Sequence, residues 1–123
     1  ERISLNQVAS LGSEFRRNLR VPVKFKSFIY PLSGIWKGRG EVQSVDISCG
    51  GIALYCVTPL KTGAKYEIAL PCTEPPIIVQ LEILRVLSKE KNLYACQFID
   101  LLPQEEAMVQ ESIFEYDLHH HTA

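Results

Sequence analysis

Residues 41–57 read EVQSVDISCGGIALYCV, two alternating apolar segments on either side of a Ser-Cys-Gly-Gly break. Alternation with a period of two turns one face of each segment toward a core, which is the pattern of a half-buried β-strand. The paired glycines Gly50 and Gly51 have wide backbone freedom, including positive φ, and favour a tight turn. This stretch therefore predicts two strands joined by a short connection.

The same alternation appears on both sides of this stretch. Upstream it begins at Val21 and continues to Tyr30, before a turn region over residues 31–40 that contains proline, serine and three glycines. Downstream, three more strand-like segments are separated by loops; they are residues 65–70, 77–87 and 93–100. Short strands at regular spacing are typical of a closed or nearly closed antiparallel barrel, here with six or seven strands.

The period changes after residue 102. Pro103 suits the first turn of a helix, where its missing N–H would have no partner, and the acidic residues behind it suit the positive end of the helix dipole. The apolar side chains spaced for the buried face are Leu102, Met108 or Val109, Ile113 and Phe114. We therefore predict a mainly β protein with one C-terminal helix that covers an opening or an edge of the barrel.

The charge of the chain is unevenly distributed. The 123 residues suffice for one domain, and the formal net charge of −1 gives no overall attraction for DNA, RNA or an anionic membrane. Residues 1–40 carry eight Lys or Arg side chains and two Glu, whereas residues 101–123 carry five acidic side chains and no Lys or Arg. The basic end is either a local anion-attracting surface or a solvated face balanced by an acidic helix.

Reactive and metal-binding residue patterns are absent from the sequence. The four cysteines have no Cys-x-x-Cys spacing, so we expect reduced core thiols in a cytoplasmic protein. Histidine occurs only at residues 119–121, and no phosphate-binding glycine motif is present. No apolar run is long enough to span a membrane. We therefore expect no enzyme activity, no bound metal or cofactor, and no membrane contact by this domain itself.

An arginine run precedes the first strand, with Arg16, Arg17 and Arg20 inside five residues. The guanidinium group is a planar fork of donors that pairs bidentately with phosphate, and it also bonds guanine O6 and N7 or stacks on a purine ring. A spacing of four residues in a short loop lets two guanidiniums converge on one ligand. Taken alone, the run is more typical of a solvated basic linker.

A second polar motif ends the strand before the paired glycines. Asp46 and Ser48 are two residues apart, so on a strand both side chains face the same side. A carboxylate accepts hydrogen bonds from guanine N1 and N2, and a hydroxyl donates or accepts beside it. Gly51 removes a side chain where a flat ring approaches the backbone. Taken alone, this motif is a strand end followed by a turn.

In this order and separation, the two motifs resemble the hallmark of the PilZ domain family, RxxxR in an N-terminal loop and then [D/N]xSxxG. Arg16 and Arg20 supply the first motif, and Asp46, Ser48 and Gly51 supply the second. Each motif is weak alone, whereas the pair with the matching order of strands and helix is specific.

The resemblance covers about residues 15–117. The family tends to close with YxxGxxF before its helix, whereas this chain has Tyr94-Ala95-Cys96-Gln97-Phe98, with Ala95 where glycine is usual and a shorter tyrosine spacing. That departure concerns backbone packing more than ligand contact. We assign residues 1–13 to a linker or lead-in, residues 14–117 to the PilZ domain and residues 118–123 to a flexible tail.

The resemblance implies a six-stranded antiparallel barrel of the split-barrel type with a C-terminal α-helix. It also implies that the domain is a receptor for cyclic di-GMP rather than a catalyst. The implied ligand-binding residues are Arg16, Arg17, Arg20, Asp46, Ser48, Gly50 and Gly51.

Within that set the resemblance implies distinct roles. Arg16 and Arg20 contact the phosphates and guanine faces, Asp46 and Ser48 bond a guanine edge, and Gly51 gives the ring room. Arg17 and Gly50 match less strict positions and are secondary candidates.

The arginine loop also suggests a mechanism. Three arginines in one loop repel one another, so we expect the loop to be mobile until a dianionic ligand neutralises it and folds it against the barrel. The direction of any segment upstream of Ser13 then changes, and this change passes the signal to a downstream protein or an attached domain. In the family that the motifs resemble, the residue before RxxxR bears on whether one ligand or a stacked pair binds. Here that residue is Phe15 and not a fourth arginine, so the resemblance implies one ligand per chain.

Two other functions remain open from the sequence. The first is a PilZ-like adaptor that binds a protein and no nucleotide, although such domains usually lack the arginine pair or the DxSxxG residues. The second is a barrel that binds single-stranded nucleic acid, which needs aromatic stacking platforms along a basic groove. Phe28, Tyr30 and Trp36 lie near Lys37 and Arg39, but the barrel has no broad basic excess.

Overall fold

The computed structural model of the protein describes residues 19–32 and 39–121. In chain order its elements are β1 (Lys26–Pro31), β2 (Gly40–Ile47), β3 (Gly51–Cys56), β4 (Lys65–Leu70), β5 (Ile77–Ser88), β6 (Leu93–Ile99) and α1 (Pro103–His121). All neighbouring strands are antiparallel, and they close into a barrel in the order β1-β2-β3-β6-β5-β4. The predicted fold, a six-stranded antiparallel barrel followed by a helix, is confirmed.

The core fills the barrel with alternate residues of the strands. Side chains of one parity point inward, so each strand contributes a short series of branched aliphatic residues. The strand residues that are fully buried and large are Ile29, Ile47, Ile52, Leu54, Ile68, Leu70, Leu81 and Ile83. Burial of each such side chain stabilises the fold by about 1.5–3 kcal/mol, which explains why the alternating segments form strands.

The first strand begins later than its alternation predicted. We expected a strand from Val21, but β1 begins at Lys26. Val21 instead forms an isolated bridge with Ile47, in which each backbone N–H donates to the other carbonyl at 2.9 Å. Residues 22–25, between Val21 and β1, lie along β2 as irregular backbone. Alternation alone therefore did not distinguish a regular strand from a segment that packs against β2 without forming one.

Ser44 holds residues 22–25 against β2. Its buried Oγ accepts a hydrogen bond from the Phe25 N–H at 2.8 Å and donates one to the Val23 carbonyl at 2.6 Å. The pairing of β2 with β3 shifts register between Ser44 and Asp46, so β2 carries a bulge next to this contact. The Ser44 side chain thus provides two hydrogen bonds where a regular strand pair would have backbone hydrogen bonds.

We expect Ser44→Ala to lower the free energy of unfolding by about 1–3 kcal/mol, because it leaves the Phe25 N–H and the Val23 carbonyl without this partner. Urea denaturation measures the change. Ser88→Ala is the control, since the Ser88 Oγ accepts only an exposed 3.3 Å bond from the Lys91 N–H. Equal stabilities for the two variants would contradict a structural role for Ser44.

Helix α1 begins where the sequence predicted, but its buried face is narrower than the predicted one. Val109 and Ile113 are buried, whereas Leu102 and Phe114 are 52% and 40% exposed, so their predicted burial is wrong. Two buried residues four apart form a narrow stripe, and the Tyr116 hydroxyl on the same side donates to the Pro22 carbonyl at 3.3 Å. The helix continues to His121, so residues 118–121 of the predicted flexible tail are helical. Over the described ranges, no helix is long and apolar enough to cross a membrane.

Candidate functional site

The turn between β2 and β3 is fixed by backbone hydrogen bonds. The Ser48 N–H donates to the Gly51 carbonyl at 2.8 Å, and the Phe98 N–H of β6 donates to the Gly50 carbonyl at 2.9 Å. The Ser48 side chain is buried, and its hydroxyl also faces the Gly51 carbonyl, at 3.4 Å. These hydrogen bonds therefore fix the position of the turn against the end of β6.

Gly51 is required by a close approach between strands. A Cβ built on Gly51 would lie 2.2 Å from the carbonyl oxygen of Cys96, whereas a Cβ on Gly50 would meet nothing within 4 Å. Neither glycine has a positive φ, so the turn forms without the left-handed conformation that glycine permits. The glycine at residue 51 lets β3 and β6 pack tightly, and its predicted second role beside a ligand ring stays a prediction.

Arg20 and Asp46 form an ion pair beside this turn. Asp46 Oδ1 lies 3.0 Å from Arg20 Nε and 2.8 Å from Arg20 Nη2. The antiparallel Val21–Ile47 bridge places Arg20 diagonally across from Asp46, and the long arginine side chain reaches the carboxylate. The side chains are 50% and 31% exposed, so both can be reached from solvent.

A cleft of about 720 Å³ opens next to the ion pair, and four of the predicted residues line it: Arg20, Ser48, Gly50 and Gly51. Asp46 joins the cleft through its contact with Arg20. Arg16 and Arg17 lie outside the described residues. The volume is within the range of about 300–1,000 Å³ usual for pockets that hold small ligands.

The cleft also contains residues that sequence reasoning missed. Gln97 is the cross-strand partner of Gly51, and Asp100, at the end of β6, has a positive φ of 54°. Leu84 of β5 and Glu106 of α1 complete the far side. No sequence signal placed them there, because the register between β3 and β6 is known only from the fold.

The groups at the cleft are suited to binding a polar ligand. Cys96 is one of the residues at the cleft, but its side chain is buried, and burial raises the pKa of the thiol to about 12, so its thiolate is scarce near neutral pH. In the described part of the chain, no group of three or more His, Cys, Asp or Glu side chains could hold a metal ion. What the cleft offers is a guanidinium, carboxylates, an amide and backbone groups, which are hydrogen-bonding partners for a polar ligand.

Comparison with known protein families shows to which family this chain belongs. The model of the PilZ domain matches residues 14–115. The chain belongs to the PilZ domain family. No curated protein sequence matches it significantly.

Solved structures agree with the PilZ fold. The PilZ domain of CeSA from a cellulose-synthesizing bacterium has a TM-score of 0.62 and 16% identity, with 81% of this chain and 99% of that chain covered. The Bacillus subtilis inhibitor of motility, MotI/DgrA, has a TM-score of 0.64 and 16% identity over 81% of this chain and 50% of that one. The PilZ domain of YcgR from Escherichia coli, solved with c-di-GMP, has a TM-score of 0.58 and 13% identity over 80% and 93% of the two chains.

Proposed function

We propose that this PilZ domain is a receptor for cyclic di-GMP and not a catalyst. The observation that carries the proposal is that Arg20, which is paired with Asp46, lines one cleft together with Ser48 and Gly51. These residues come from both family motifs. Arg20 and Asp46 are 26 positions apart in the sequence. The YcgR domain, a structural neighbour, was solved with the same ligand.

The ligand contacts follow from the charge of each group. Arg20 presents a donor fork that suits a phosphate, and Arg16, four residues earlier, adds a second fork from the same loop. Asp46 accepts hydrogen bonds from the N1 and N2 hydrogens of a guanine, with the Ser48 hydroxyl beside it. The ion pair with Asp46 orients Arg20, so part of the proposed site is held together by the protein itself.

Ligand binding would order the arginine loop and thereby send the signal. The chain is anchored from Val21 onward, by the bridge to Ile47 and by the Tyr116–Pro22 hydrogen bond. Ordering upstream of that anchor changes the direction in which residues 1–13 leave the barrel. A downstream protein or an attached domain would read this change, since a ligand shifts an equilibrium by its differential contacts with the two states.

Cytoplasmic location belongs to the same proposal. The four cysteines are free, three of them buried, as expected for a protein that folds in a reducing compartment. No contact with DNA, RNA or a membrane is needed for the proposed role.

Isothermal titration calorimetry of the whole chain with cyclic di-GMP tests binding and stoichiometry together. We expect saturable heat and one ligand per chain, and hydrogen exchange that slows over residues 14–20 when the ligand is bound. Cyclic di-AMP, which has the same phosphates and different bases, is the control and should bind more weakly. Absence of both heat and a thermal shift with cyclic di-GMP would contradict the proposal and favour the protein-binding adaptor.

A further inference from the structure

The cleft has a second polar end that neither family motif accounts for. Crossing the barrel wall from β2, the order of strands is β2, β3, β6 and β5. Asp46 lies on β2, whereas Gln97 lies on β6 and Asp100 directly follows that strand. With strands about 4.8 Å apart, β6 is about 10 Å from β2. Through Ala53, Asp46 is level with Ala95 of β6, so Asp100 lies a further 13 Å or more, roughly, along the strand direction. A dinucleotide in an extended conformation is therefore needed to reach from Asp46 to Asp100.

The charges of the cleft divide in the same direction. Arg20, which is paired with Asp46, provides positive charge at the β2 side. Asp100 and Glu106 provide carboxylates at the β6 and α1 side. A carboxylate repels phosphate but accepts strong hydrogen bonds from uncharged N–H donors. An anionic dinucleotide should therefore place its phosphates toward Arg20 and a base edge toward Asp100.

Gln97 and Asp100 have access to such a base. Gln97 alternates with the buried side chains of Cys96 and Phe98, so its own side chain is on the exposed face of β6. Its cross-strand neighbour is Gly51, which has no side chain to screen it. The chain then turns at Asp100, whose positive φ takes the backbone away from the strand direction and leaves the carboxylate at the cleft edge.

We propose that Asp100, assisted by Gln97, recognises the second guanine of the ligand. The Asp100 carboxylate would accept from guanine N1–H and N2–H, and the Gln97 amide would donate to O6. Adenine offers no N1–H and presents an amino group in place of O6, so it would be rejected at this end. This inference rests on the proposed function, since it assigns a specificity role inside the same cleft.

The test compares cyclic di-GMP with the mixed cyclic GMP–AMP, which carries a single guanine. Wild-type protein should bind cyclic di-GMP more tightly, because each guanine has its own carboxylate. Asp100→Asn should lower the affinity for cyclic di-GMP by about tenfold or more, since a hydrogen bond to a charged group is lost. The affinity for the mixed dinucleotide should change by about twofold or less, because its one guanine still binds at Asp46. The preference between the two ligands thus collapses.

Controls separate recognition from folding and from general charge. Asn tolerates a positive φ as well as Asp does, so Asp100→Asn keeps the backbone of the turn. Glu90→Gln removes the same charge at the exposed β5–β6 connection and should leave both affinities unchanged. Gln97→Ala, which does not alter the turn, should reduce the preference in the same direction as Asp100→Asn.

Three results would overturn the inference. Unchanged preference in both Asp100→Asn and Gln97→Ala would show that the β6 end does not read a base. Tighter binding of both ligands by Asp100→Asn would show that the carboxylate only repels phosphate. Absence of wild-type binding to cyclic di-GMP would reject the proposed function itself, whereas wild-type binding with unchanged variants rejects this inference alone.

Discussion

Arg20→Ala is expected to weaken cyclic di-GMP binding by about 100-fold or more. Bonds between a guanidinium and a phosphate are charge-assisted and each contribute about 1.5–3 kcal/mol, so the loss of a bidentate pair exceeds 2.7 kcal/mol, or roughly two powers of ten. The ion pair in the free protein already holds the Arg20 side chain at the cleft edge. Removal of this side chain therefore costs both the contacts and their preorganisation. Calorimetric titration of the variant gives the affinity directly.

The same substitution should hardly change stability. The Arg20–Asp46 pair is well exposed, and exposed ion pairs contribute about 0–1 kcal/mol to folding. Urea denaturation of Arg20→Ala should therefore stay close to wild type while binding falls. Arg39→Ala is the matched control, since the Arg39 guanidinium stacks on the Phe28 ring at 4.1 Å and does not line the cleft.

A double-mutant cycle with Asp46→Asn extends this test. If both residues contact one ligand, each single change weakens binding, and the double change shows how far the two contacts depend on each other. Wild-type affinity in Arg20→Ala would contradict the role assigned to the arginine. A large loss of stability in the same variant would assign the ion pair to the fold instead.

Regular alternation made the barrel predictable from the sequence. The strand over residues 65–70 was predicted with its observed bounds, and β5 and β6 were displaced by one residue at one end each. Inward residues of a small barrel must be apolar and outward residues are mostly not, so the period of two located these strands from the sequence. Pro103 located the start of the helix for an equally local reason.

Features that depend on tertiary neighbours were missed or misread. The segment before β1, residues 21–25, alternates like a strand, but the buried Ser44 hydroxyl forms hydrogen bonds with two of its backbone groups. Phe114 has helical spacing toward the core, yet the helix packs through Val109 and Ile113. Gln97 and Asp100 reach the cleft because β6 pairs with β3, a register that no local pattern encodes.

Gly51→Ala is expected to destabilise the domain by about 3 kcal/mol or more. The added methyl group would overlap the Cys96 carbonyl oxygen, from which it would be separated by only 2.2 Å. That oxygen belongs to the backbone of β6, so the overlap is relieved only if β3 and β6 move apart and their ladder is distorted. Overpacking of this kind costs about 1–3 kcal/mol when flexible side chains can move, and more when they cannot. Urea denaturation followed by circular dichroism measures the loss.

Gly50→Ala is the matched control for this prediction. It adds the same methyl group one residue earlier, where no atom lies within 4 Å and φ is not positive. The substitution should leave the free energy of unfolding unchanged or raise it by up to about 1 kcal/mol, because alanine restricts the unfolded chain. Equal stability of the two variants would mean that the strands do not approach as closely as the Cys96 carbonyl implies. A loss confined to Gly51→Ala would show that the last glycine of the DxSxxG motif is needed to close the barrel, whether or not a ligand ring lies against it.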